Sequence, residues 1–171
     1  MQKLLILAAL PQEIDSSLGK FDKYLYYTGV GKINAAITTT TLIIENKPDL
    51  VINIGTAGSY EKHFSGLVEC GVYLDRDNTF NTEQIAIDKG KALISTGDSF
   101  VTTGGGVGLV DMEAYAIAKA CKRFNIQFRC FKYISDYVGE NSVTNWQSKI
   151  AYGRMQYMRM LASLFDERSS S

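Results

Sequence analysis

The chain has little histidine or cysteine with which to hold a zinc ion. One of its 171 residues is a histidine, His63, in the polar stretch Tyr60-Glu61-Lys62-His63, which reads as a solvated loop. The cysteines, Cys70, Cys121 and Cys130, are odd in number and have no CxxC spacing. That disfavours a disulfide framework and a zinc site, and fits a reducing compartment. An excess of either charge is also missing, since 18 Lys and Arg balance 18 Asp and Glu. Neither nucleic acid nor an anionic membrane surface is therefore an expected partner. No apolar run approaches the length that spans a bilayer. The run Leu4–Leu10 is short, lacks a clear cleavage signal and leads into Pro11-Gln12-Glu13. It reads as a buried first strand rather than a signal-peptide core. A soluble, cytoplasmic protein with no metal or cofactor is the expectation.

What remains is an ordinary globular composition, 46% hydrophobic and 21% charged. The length suits one domain, expected over residues 1–166, with 167–171 as a frayed tail. Short apolar runs alternate with segments of helical period, the pattern of an α/β fold with a central, mostly parallel sheet between helix layers. Strands are expected at 3–9, 24–28, 50–54, 67–74, 91–95 and 128–134. Helices are expected at 32–45, 112–124 and roughly 144–165. The first would bury Ala35, Ala36, Ile37, Leu42 and Ile43 and end before Pro48; its four consecutive threonines are poor helix formers, so packing must hold it. Asp111 reads as the N-cap of the second. Residues 75–90 read as loop, and Thr102–Gly108 as a glycine-rich connection.

In α/β sheets ligands collect at the carboxyl ends of strands. Four such ends carry unusual residues: Pro11-Gln12-Glu13, Gly55-Thr56-Ala57-Gly58, Thr96-Gly97-Asp98-Ser99-Phe100 and Ser135-Asp136. If the strands are parallel, all four lie along one edge. Each also has a plainer reading. Pro11 and Glu13 suit a helix start, Glu113 suits a first helical turn, and Asp136 suits a turn. Gly29-Val30-Gly31 is an incomplete dinucleotide fingerprint, because Asn34 stands where its third glycine belongs.

Six segments taken in order are more specific: 9–13, 29–36, 53–58, 96–100, 111–114 and 134–136. Together they resemble the nucleoside phosphorylase/nucleosidase superfamily, and its methylthioadenosine/S-adenosylhomocysteine nucleosidase branch in particular. The resemblance implies a three-layer α/β/α fold, a small nucleoside substrate and a homodimer, with an interface expected from the apolar surface of the 50–60 region and its neighbours. It also implies roles: Asp136 as general acid at the purine N7, Glu113 holding the ribose hydroxyls, and Glu13 as base for water. Met112 would pack on the sugar, Phe100 would stack on the base, the Phe100–Val101 backbone would read its edge, and Thr56 would lie near the sugar or nucleophile. Phosphorylases of the superfamily hold phosphate with an arginine where this chain has Asn53, and a carboxylate at Glu13 would repel phosphate. Hydrolysis is expected over phosphorolysis. A nucleoside phosphorylase and a non-catalytic nucleoside-binding protein are the alternatives. The chain is several tens of residues shorter than the pattern requires, and the loss falls between Gly58 and Met112.

Overall fold

A computed structural model describes residues 3–14, 17–80, 83–139, 149 and 152–166. Among the described residues there are eight strands: β1 (Leu4–Ala8), β2 (Leu25–Tyr27), β3 (Leu50–Ser59), β4 (Leu67–Asp75), β5 (Ile85–Ala86), β6 (Ala92–Thr96), β7 (Leu109–Asp111) and β8 (Gln127–Tyr137). The helices are α1 (Lys32–Asn46), α2 (Ala114–Phe124) and α3 (Gly153–Asp166), with short 3-10 turns at Pro11–Glu13 and Gly19–Tyr24. Residues 144–148, 150 and 151 of the expected closing helix, and the tail 167–171, lie outside the described residues.

The eight strands form one mostly parallel mixed sheet with helices on both faces, as expected. Alternation along β1 shows the layering. Leu5 and Leu7 join α1 and α2 in one core. Leu4, Ile6 and Ala8 join Tyr157 and Leu161 of α3 and the 3-10 turns in the other. The α1 helix ends at Lys47 in the left-handed conformation, just before Pro48. Its buried face is Ala35, Thr39, Leu42 and Ile43; Ile37, expected to be buried, is 62% exposed.

β1 and β8 flank β3, both in parallel. β4 runs antiparallel to β8 and parallel to β6, β6 is parallel to β7, and β7 returns antiparallel to β3. The pairings therefore close β3, β8, β4, β6 and β7 into a ring. β7 meets β3 through only Gly58↔Val110 and Ser59↔Leu109, so the two strands overlap at their tips. That overlap brings the carboxyl ends of β6 and β7 to those of β1, β3 and β8, although β7 runs against β3.

Three differences from the sequence reading bear on the site. β7 was not expected, and Asp111 ends it; α2 starts at Ala114 with Glu113 as its N-cap, while the Asp111 carboxylate accepts from the Ala114 N–H. β5 lies inside the segment read as loop. Leu50–Ser59 is buried throughout within the chain, so β3 itself offers no apolar surface to a second copy, and an interface near it falls to its neighbours.

Candidate active site

A cavity of about 370 Å³ lies where these strand ends meet. It is within the range of small-molecule sites. All seven residues singled out in the sequence border it: Glu13, Thr56, Phe100, Val101, Met112, Glu113 and Asp136. The three carboxylates come from three different strand ends and are each at most 7% exposed.

Glu13 ends the 3-10 turn that follows β1. One of its oxygens accepts from the N–H groups of Ala9 and Leu10, at 3.0 and 3.2 Å. The other accepts from the N–H and hydroxyl of Thr56, at 2.9 and 3.0 Å. The Thr56 N–H belongs to a peptide held from its other side, where the buried Tyr157 hydroxyl of α3 donates to the Gly55 carbonyl at 2.7 Å. The C-terminal helix thus helps to aim the donor that fixes Glu13.

Asp136 owes its direction to a β-bulge. The β3–β8 register slips between Ala57↔Ile134 and Gly58↔Asp136, leaving Ser135 as the extra residue. The Ser135 hydroxyl donates to one Asp136 oxygen at 2.7 Å. The other lies so close to β3 that a Cβ on Gly58 would come within 3.1 Å of it, and within 3.0 Å of Val110.

Glu113 accepts a hydrogen bond from the Gly31 N–H at 2.9 Å, joining the start of α1 to the start of α2. Burial, and after it the negative charge of Asp111, pushes the Glu113 carboxyl up to about 7, against the opposing pull of Lys132 and the Gly31 N–H.

The sequence reading missed Lys132. Its ammonium is 3.0 Å from Asp111 Oδ2, and both side chains are almost wholly buried. Burial works against that charge, but the carboxylates of Asp111, Glu113 and Glu13, together with Cys130, outweigh it and hold Lys132 well above its ordinary range. Asp111 also accepts from the Thr96 hydroxyl at 2.6 Å and the Ala114 N–H at 2.8 Å. The available signal was a lysine at the parity of the apolar Phe128, Cys130 and Ile134, with Arg129 on the opposite side of the strand. Asn53, by contrast, is a sheet cross-link: its amide donates to the carbonyls of Leu7 and Ile54, at 3.0 and 3.3 Å. Among the described residues no cluster of His, Cys, Asp and Glu suits a metal ion.

Comparison with solved structures gives the fold class. The chain superposes on a 5'-methylthioadenosine/S-adenosylhomocysteine nucleosidase of Helicobacter pylori with a TM-score of 0.83, covering 98% of this chain and 99% of that one at 20% identity. It superposes on the futalosine hydrolase of Helicobacter pylori at 0.84, covering 97% and 98%, again at 20% identity. The fold is that of the nucleoside phosphorylase-like α/β proteins. Residues 16–66 match the phosphorylase superfamily. A 5'-methylthioadenosine/S-adenosylhomocysteine nucleosidase of Exiguobacterium is 30% identical across 73% of this chain and 72% of its own length. One from Staphylococcus aureus is 31% identical across 80% and 79%. The chain belongs to this nucleosidase family, and with it to the N-glycosyl hydrolases.

Proposed function

We propose that this enzyme hydrolyses the N-glycosidic bond of an adenosine-type purine nucleoside, with water as the nucleophile. The observation that carries the reading is the convergence of Glu13, Glu113 and Asp136, from three strand ends, on one cavity. Asp136 gives its proton to N7 as the C1′–N9 bond breaks and the bonding electrons leave with the base. Glu113 accepts the ribose hydroxyls while positive charge grows on the sugar, and Met112 packs against the ring. Water adds to C1′ and loses a proton to Glu13, beside which the Thr56 hydroxyl orients it. Phe100 stacks on the base, and the Phe100–Val101 backbone reads its edge. Exchange with solvent returns a proton to Asp136 and removes one from Glu13.

Hydrolysis is favoured over phosphorolysis by the site's charges. Asn53 is consumed by the sheet, and the arginine that borders the cavity, Arg76, gives its four terminal N–H groups to main-chain carbonyls. The names of the relatives put 5'-methylthioadenosine and S-adenosylhomocysteine first among substrates to try. The enzyme works as a homodimer, paired through an apolar stripe on α1 rather than through β3: Ile33, Ile37 and Ile44 are all more than half exposed.

The test is release of free base from a nucleoside panel that includes those two compounds and futalosine, with and without phosphate. Wild type should release base at a rate independent of phosphate, and Asp136→Asn should lose roughly a hundredfold or more, the usual scale for a lost general acid. Dependence on phosphate with formation of a sugar 1-phosphate would make it a phosphorylase. Nucleoside binding without base release, unchanged in Asp136→Asn, would make it a binding protein.

A further inference from the structure

Between β4 and β6 the described residues contain no helix, only the two-residue β5. This short segment must still wall the cavity, and Arg76, the first residue after β4, does so. One terminal nitrogen of its guanidinium donates to the carbonyls of Ser95 and Asp111, both at 2.8 Å. The other donates to the carbonyls of Gly97, at 3.2 Å, and Ser99. Its own N–H bonds the Thr96 carbonyl at 2.9 Å, and the Gly97 N–H bonds that of Asp111 at 3.1 Å. One side chain thus laces together the ends of β4, β6 and β7.

Carbonyl dipoles aimed at one point repel each other unless donors lie between them. A planar fork of N–H groups can serve four acceptors at once, which a lysine ammonium with three donors cannot do. Asp77 and the guanidinium together explain Gly97: a Cβ there would lie 2.6 Å from an Asp77 carboxylate oxygen and 2.7 Å from the central carbon of the guanidinium. The strap held in this way leads into Ser99 and Phe100, both exposed, and Val101, half-buried. Asp77 grips the same strap from outside, accepting from the Asp98 N–H at 2.7 Å. Arg76 itself borders the cavity beside Phe100 and Val101.

We propose that Arg76 is a specificity-determining positioning residue, which fixes the 97–101 strap through its carbonyls and so sets how tightly the pocket holds the purine. The proposal rests on the reading above, in which Phe100 and Val101 receive the base. Arg76 touches no reacting atom, so its loss should act on binding and leave the acid–base steps in place.

The experiment compares wild type with Arg76→Lys, Arg76→Ala and Gly97→Ala, the last crowding the guanidinium from its far side. Each is measured for kcat, KM, thermal midpoint and affinity for free adenine by calorimetry. Arg76→Lys should raise both KM and the adenine Kd about tenfold, the equivalent of one charge-assisted hydrogen bond, with kcat within about threefold. Arg76→Ala and Gly97→Ala should show the same split, and the pH profile of kcat should not move. A lower thermal midpoint with KM and adenine Kd unchanged would reduce Arg76 to a structural brace and overturn the proposal, as would a loss confined to kcat. Wild type that releases no base but binds adenine overturns the hydrolase reading alone, and the ratio of adenine affinities still decides the role of Arg76. Wild type with no measurable adenine affinity overturns both.

Discussion

Glu113 is the side chain whose charge is most open to control. Burial chiefly pushes its carboxyl up to about 7 from 4.5, and in its proposed role it must be a carboxylate to accept two ribose hydroxyls. Productive binding should therefore strengthen as pH rises through about 7. A plot of log kcat/KM against pH should show an acid limb with an apparent pKa near that value, and Glu113→Gln should remove the limb while lowering the plateau. A limb that survives in Glu113→Gln would assign it to another group. The same shift has a sign for stability. Between 4.5 and 7 the native state holds a proton that the unfolded chain has released. Stability from this group is thus present below about 4.5 and is lost as pH climbs to 7. Denaturant midpoints of Glu113→Gln should lack that decline. Glu113 was legible in the sequence from its place in Asp111-Met112-Glu113-Ala114. Lys132 was not, because a lysine in a strand usually lies on the solvent face, and only the closed ring turns this one inward among carboxylates.

At the scale of elements, α1 shows how packing overrides preference. Four threonines in succession are poor helix material, and Thr39 is fully buried, with no hydrogen-bond partner for its hydroxyl among the described residues. An unpartnered buried hydroxyl carries a desolvation penalty on the order of 1–3 kcal/mol, and valine has the same shape without it. Thr39→Val should stabilise the protein by about 1 kcal/mol, raising the thermal midpoint by roughly 2–4 °C for a chain of this size. Calorimetric melting checks this, and a fall in midpoint would mean that the hydroxyl serves a purpose in the native state. The helix span was readable in advance, to within a residue, from its period and Pro48. Its orientation was not fully readable: isoleucines occur on both sides, and period alone does not say which face meets the sheet. The tip of β3 was likewise obscure. Gly55-Thr56-Ala57-Gly58 reads as a turn, yet it continues the strand because β8 pairs with it beyond Ile54 and the Ser135 bulge absorbs the mismatch. Short β7 left no signal, since three residues carry no measurable period.

At the scale of the whole molecule, the site was legible because its residues sit at strand ends in a fixed chain order, and the strands place those ends together. The Arg76 strap was not, because it depends on carbonyls from three segments that meet only once the ring closes. The same limit applies to assembly. Within the expected region β3 itself is interior, since β8 pairs with it along its whole length, β1 along Leu50–Asn53 and β7 at its tip. The exposed alternative is geometrically distinct. At about 100° per residue, Ile33, Ile37 and Ile44 share one face of α1, nearly opposite the Ala35, Thr39, Leu42 and Ile43 face that packs inward. A helix apolar on both sides needs a partner on each, and the described residues supply only one. With no net charge on the chain, long-range repulsion does not oppose pairing of two copies. Sedimentation velocity should find wild type at twice the 18.9 kDa chain mass, and Ile37→Glu at the chain mass with its helix content intact. Because a glutamate at that position is tolerated by an exposed helix, a monomeric variant would report the interface and not a folding defect. Wild type sedimenting at the chain mass up to tens of micromolar would overturn pairing of two copies through α1.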